Sequence, residues 1–162
     1  MGIADELLAL AGYLATFSSP AFEQACLRRS VSTAYYALFH LLIHEAAQRW
    51  AGSAEARLGL ERAFRHSNMK EISEAVSKGT WKSWRTPRLP IPIELQDIAK
   101  SFVNLQEVRH LADYDNTRIW TSTEAEARLD DARTAFQKWP KIQSDPAAHE
   151  YLLALLIGKK RE

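Results

Sequence analysis

Apolar residues recur along this chain at helical intervals and nowhere alternate with polar ones over the length of a strand. Over residues 3–15, Ile3, Leu7, Leu8, Leu10 and Leu14 stand close to helical spacing and predict a first helix. Ser19 can cap a second helix, and Pro20 suits its first position. From there the pattern runs unbroken to Ala51, where Gly52 and Ser53 end it. Such a helix has roughly 30 residues and a length of about 45 Å. Over residues 28–50 it is apolar on more than half its circumference, with Arg29, Thr33, Tyr36, His40 and His44 forming a polar line on the rest. A rod of that kind belongs inside a bundle. The polar line would then be buried and would need partners.

The pattern weakens over residues 54–79, where short helices are expected at 57–64 and 69–77, with Ser67 or Asn68 capping the second. Pro87, Pro90 and Pro92 exclude a helix interior and make residues 79–92 a long loop. A strong helix follows from Ile93 to Tyr114. Its core stripe of Leu95, Ile98, Ala99 and Phe102 continues into Gln106, Arg109, His110 and Asp113, so the face turns polar in its last two turns. Either the helix emerges there into solvent, or the polar residues form an internal cluster in which Arg109 and Asp113, one turn apart, can pair. A turn at Asp115-Asn116-Thr117 precedes two alternative capping boxes, Thr121 with Glu124 or Thr123 with Glu126. The helix they open carries Ala125, Leu129, Ala132, Ala135 and Phe136 as its stripe, reaches about Trp139, and is ended by Pro140. Asp145 and Pro146 then cap and start a last short helix over 147–157. The expected fold class is all-α, an up-and-down helical bundle of four to five main helices with short extra helices.

At 162 residues the chain is expected to form one domain over 1–162, with enough length to bury a core. A composition that is 46% hydrophobic and 25% charged excludes extensive disorder. Lys and Arg number 21 against 20 Asp and Glu, so any attraction for nucleic acid must come from a local patch. Cys26 is the only cysteine, which excludes an intramolecular disulfide and agrees with a reducing compartment. The first residues are acidic where a signal peptide would be basic, and no apolar run approaches the roughly 18 residues of a membrane span. A cytoplasmic location without membrane association is therefore expected.

His40 and His44 lie one turn apart and could share a metal with His66 and His110. No Cys or acidic ligand accompanies them in the motif, so core or interface histidines are preferred, with no metal and no cofactor expected. Nucleophile elbows and phosphate-binding glycine loops are absent from the sequence. What remains for chemistry is the group Arg109, His110, Asp113 and Tyr114, in which the arginine can hold a phosphate and the His or Tyr can move a proton. Tyr36 and His40, on the long helix, are the expected brace for Arg109 and Asp113. A second candidate is the basic loop with Lys78, Lys82, Arg85 and Arg88 interleaved with Trp81 and Trp84. That mixture suits single-stranded nucleic acid, and equally suits a loop pinned by its tryptophans.

Two segments carry a family resemblance: Ala34-Tyr35-Tyr36-Ala37-Leu38-Phe39-His40 and Arg109-His110-Leu111-Ala112-Asp113-Tyr114. In this order and separation they resemble the long helix and the later helix of one branch of the HEPN superfamily, small prokaryotic helical domains often encoded beside nucleotidyltransferases. The resemblance covers roughly residues 22–139. It implies a helical bundle and a homodimer in which the late helices of two subunits approach each other, with a nucleotidyltransferase as partner. Many members are metal-independent ribonucleases or toxins built on Arg-x4–6-His. No arginine of this chain has a histidine at that separation, and Tyr114 stands where Arg109 would need one. The expectation is therefore a domain that binds RNA or a nucleotide, within a toxin-antitoxin or defence system. Arg109 would engage phosphate, and His110 and Tyr114 sugar or base. The alternatives are a weak ribonuclease acting through His110 or Tyr114, and a structural or adaptor protein whose partner surface is the apolar helix over 151–157.

Overall fold

The structure is a computed structural model that describes residues 2–17, 19–82 and 89–159. Among them there are seven helices and no strand: α1 (Ile3–Thr16), α2 (Glu23–Trp50), α3 (Ala54–Ala63), α4 (His66–Ser77), α5 (Ile93–Tyr114), α6 (Ser122–Ile142) and α7 (Pro146–Ile157). The protein is all-helical, as the periodicity predicts. Its residues group into two compact units, one from Met1–His40 with Ser101–Phe136 and one from Leu41–Lys100 with Gln137–Glu162. α2, α5 and α6 contribute residues to both.

In the first unit, α1 turns its small residues inward: Ala4, Ala11 and Ala15 are its buried positions. The close approach is visible in two contacts. Ser30 donates its hydroxyl to the Ala11 carbonyl at 2.8 Å. A Cβ on Gly12 would stand 3.3 Å from the Arg133 guanidinium and 3.6 Å from Leu129. The link from α1 to α2 differs from expectation, because Pro20 does not open α2. Residues 20–22 form a turn in which the Phe22 N–H reaches the Ser19 carbonyl at 3.2 Å, and α2 begins at Glu23. Stacking of Phe17 on Phe22 at 5.7 Å holds that turn. The core proper is Val31, Ala34, Tyr35 and Leu38 from α2, Phe102 and Leu105 from α5, and Leu129 from α6. α6 opens on the first of the two expected capping boxes: the Thr121 N–H donates to Glu124 Oε2 at 2.9 Å and the Glu124 N–H to Thr121 Oγ1 at 3.1 Å.

In the second unit α4 packs against α7. Met69, Ile72 and Val76 are buried on α4, and Tyr151, Leu152 and Leu155 on α7. A buried polar contact in that interface joins the Ser73 hydroxyl to the Tyr151 phenol at 2.8 Å. Asp145 caps α7 through the Ala147 N–H at 2.8 Å, as expected. α4 starts one turn earlier than expected, from Arg65, without a side-chain cap. Asn68 is occupied elsewhere: its side chain lies against Gly158, which takes a positive φ of 79° at the end of α7. A side chain there would meet both the strain and Asn68. Pro140 does not end α6. It sits in the last turn of a helix that continues to Ile142, with only two helical residues beyond it. Burial of Trp139 and Ile142 holds that turn in place.

Two expectations about surfaces also change. The polar line of α2 is not buried as a whole: Arg29 and His44 are exposed, Tyr36 and His40 half-buried, and only Thr33 is enclosed. The apolar 151–157 segment is not an open partner surface either, since Tyr151, Leu152, Ala154 and Leu155 are all buried and only Ile157 stands out. Among the described residues, no helix is long and apolar enough to cross a membrane.

Candidate functional site

The first unit gathers the chemistry-bearing residues at the C-terminal end of α5. Arg109 lies with its guanidinium carbon 5.1 Å from the centre of the Tyr35 ring and 5.8 Å from that of Tyr36. Only 14% of its side chain is accessible. Its ion pair to Asp113 one turn on is long, at 3.6 Å, and its Nε is buried with no hydrogen-bond partner. Asp113 in turn accepts the Ser32 hydroxyl at 3.3 Å. Tyr35 is fully buried between Phe39 and Phe102, with ring centres 6.1 and 5.5 Å away. Burial pushes its phenol well above the ordinary range, the Arg109 charge pulls it back, and Tyr36 adds a smaller upward push. The phenol thus stays neutral, and the guanidinium lies on an uncharged aromatic floor. A planar, weakly hydrated cation tolerates such a surface where an ammonium would not.

Of the residues marked in the sequence, Arg109, Asp113 and Tyr36 come together. His110 and Tyr114 occupy the outer side of the same helix end, both exposed, with ring centres 4.9 Å apart. His40 meets Phe39 edge-on at 5.5 Å, and Tyr35 and Ser32 also contact the Arg109 and Asp113 pair. Lys82 is exposed and belongs to the second unit, while Trp84, Arg85 and Arg88 lie outside the described residues. Among the described residues no three of His, Cys, Asp and Glu stand close enough to hold a metal ion. His44 instead faces Glu61 at 3.5 Å and Gln48 at 3.2 Å.

The residues that the sequence reading missed all lie on α2. Arg28 donates to three main-chain carbonyls, Ala112 at 3.1 Å, Asp115 at 2.8 Å and Arg118 at 2.6 Å, and so closes the C-terminus of α5. Gln24 brackets Trp120, donating to its carbonyl and accepting from its N–H, both at 2.8 Å. Gln24, Arg28 and Ser32 recur every four residues, a polar stripe about 100° around the helix from the line that begins at Arg29. That spacing was the available signal, and the more conspicuous aromatic and histidine line beside it hid it.

A cavity of about 330 Å³ lies against the start of α6, lined by Val108, Arg118, Trp120, Thr123, Glu124 and Arg128 among others. Its charges are largely committed to one another. The Arg118 guanidinium lies 4.2 Å over the Trp120 ring and 3.3 Å from Glu124, and Arg128 pairs with Asp131 at 3.3 Å. The Thr121 N–H, with help from the Thr121 hydroxyl and Arg118, holds the Glu124 carboxyl below the usual range. By contrast the Arg109 Nε is buried with no hydrogen-bond partner. Compared with models of protein families, with curated proteins and with solved structures, the chain finds no match.

Proposed function

We propose that this chain is a HEPN-like helical domain that binds RNA or a nucleotide through Arg109, acting as a homodimer within a toxin-antitoxin or defence system, with a nucleotidyltransferase as partner. The observation that carries the ligand assignment is the incompletely paired Arg109 guanidinium, packed on Tyr35 and Tyr36, with a buried, unpartnered Nε and only a long contact to Asp113. A guanidinium held flat on aromatic rings, with one N–H short of an acceptor, suits a phosphate, which takes charge-assisted N–H bonds from an arginine. The exposed rings of His110 and Tyr114 lie on the same helix end and supply a surface on which a base or sugar can rest.

The test is a titration of RNA oligonucleotides and mononucleotides against the wild type and the Arg109→Ala and Arg109→Lys variants. Loss of a charge-assisted contact of about 1.5–3 kcal/mol corresponds to roughly a tenfold to hundredfold weaker Kd for Arg109→Ala. Arg109→Lys is expected to recover little, because an ammonium cannot make the paired contact. Unchanged affinity in Arg109→Ala sinks the assignment. The accessibility of His110 and Tyr114 beside Arg109 favours a second reading, a weak ribonuclease. Incubation with a mixed RNA pool separates the two, since a binder leaves the RNA intact and a ribonuclease loses its cutting in His110→Ala. The adaptor reading loses its expected surface, because the apolar face of α7 is already buried against α4.

A further inference from the structure

Asp113 stands beside Arg109 without engaging it. Its Oδ2 lies 3.6 Å from Arg109 Nη1, beyond hydrogen-bond reach, although an acid and a base one helical turn apart can close to a direct pair. Each group is tied elsewhere. The guanidinium lies on the Tyr35 and Tyr36 rings, and the same Oδ2 accepts the hydroxyl of Ser32, a buried residue of α2. The carboxylate is therefore near enough to act through its charge on whatever meets the guanidinium, and too far to satisfy the guanidinium by a bond. Both side chains still reach the surface, 14% accessible for Arg109 and 25% for Asp113.

The surroundings of this helix end do not offset that carboxylate. Arg28, the other guanidinium bonded here, donates to the carbonyls of Ala112, Asp115 and Arg118. The last turn of α5 contains no basic residue, and a helix C-terminus is itself the negative end of the helix dipole. Just past it, a second carboxylate, Asp115, accepts the Thr117 N–H at 3.0 Å and the Thr117 hydroxyl at 2.6 Å. Attraction between a phosphate and an arginine grows in proportion to the phosphate charge, whereas the cost of drying an ion grows with the square of its charge. A carboxylate fixed beside the arginine lowers the first without lowering the second. We infer, on the reading that Arg109 holds a phosphate, that Asp113 is the specificity determinant of that site: it admits phosphate groups carrying one negative charge and turns away those carrying two.

The probes are adenosine monophosphate and its methyl ester, which share base and sugar and differ by one phosphate charge at about pH 8. Each is titrated calorimetrically into the full chain. An arginine without a neighbouring acid prefers the doubly charged monophosphate; the wild type is expected to prefer the methyl ester, by at least about threefold. Asp113→Asn, which keeps the shape and removes the charge, should tighten the monophosphate at least about tenfold and the ester only about threefold, because the repulsion removed doubles with ligand charge. The preference is then lost. Asp113→Glu restores the charge and keeps the wild-type order, a result that a merely structural aspartate would not give. The wild-type order is itself a test that needs no variant to fold. A tighter monophosphate in the wild type, or an affinity ratio unchanged in Asp113→Asn, overturns the role of Asp113 while binding that Arg109→Ala abolishes leaves the Arg109 assignment standing. Failure of both probes to bind overturns it as well. Binding that Arg109→Ala leaves intact overturns both.

Discussion

Tyr35 and Tyr151 are both fully buried, one in each unit, and burial pushes both phenols far above the usual range, yet they differ in company. Tyr151 faces the neutral hydroxyl of Ser73, which satisfies it and ends the matter. Beside Tyr35 lies a guanidinium with an unpartnered nitrogen and a loose acidic neighbour. The same side chain in the same degree of burial thus closes a core in one place and floors an incompletely paired cation in the other.

That contrast can be broken at several strengths. The largest effect is expected from removing either ring: Tyr35→Ala and Tyr151→Ala should each lose about 3–5 kcal/mol in urea unfolding, because both leave core cavities. Next comes Tyr151→Phe, which strands the Ser73 hydroxyl in an apolar interface and should cost about 1–3 kcal/mol, most of it recovered in the double variant with Ser73→Ala. Arg109→Met is the decisive counterpart. With one long ion pair to lose and an unpaired nitrogen removed, its stability should stay within about 1 kcal/mol of wild type while the ligand affinity collapses. A destabilisation comparable to Tyr151→Ala would move Arg109 into the same structural class as Ser73.

The pH responses are smaller and have opposite signs. A phenol whose folded pKa is raised contributes fully below the ordinary value of about 10 and loses that contribution as pH rises past it, since the unfolded chain ionises first. Stability should therefore fall on the alkaline side, less steeply in Tyr151→Phe. On the acid side, the Thr117 hydroxyl and N–H hold Asp115 low, and the Thr121 N–H and hydroxyl hold Glu124 low. Their stabilisation is present above the ordinary carboxylate value of about 4 and is lost as pH falls through the depressed ones. Thermal melts from about pH 5 to pH 3 should be flatter in Glu124→Gln, which keeps the cap but not the titration.

Helices were legible in the sequence where helical spacing and caps agreed. α5 begins at Ile93 and ends at Tyr114 as its periodicity predicts, and α7 starts on its Asp145 cap. The boundaries that moved are those settled by tertiary contact: Pro20 lies in a turn held by Phe17 and Phe22, Asn68 is taken by Gly158, and Pro140 is carried by buried neighbours. In α1 the periodicity marks the helix, but its most deeply buried positions are the alanines Ala4, Ala11 and Ala15 beside the half-buried leucines. At the candidate site, Arg109 with Asp113 could be seen from their one-turn spacing. Tyr35 could not be told from Tyr36 as the ring nearest the guanidinium, since neighbouring residues on a helix differ only by a rotation that packing decides.

Arg28 and Gln24 hold the connection between α5 and α6 by main-chain atoms alone: three carbonyls for one, an N–H and a carbonyl for the other. Every residue type presents those atoms. The two α2 side chains are therefore tightly specified, while the side chains at Asn116 and Ile119 within the segment they clasp have no part in the clasp. Substitutions that alter the chemistry of this rim can accumulate without loosening its path, so the edge beside Arg109 is a place where the surface can change at little cost to the fold.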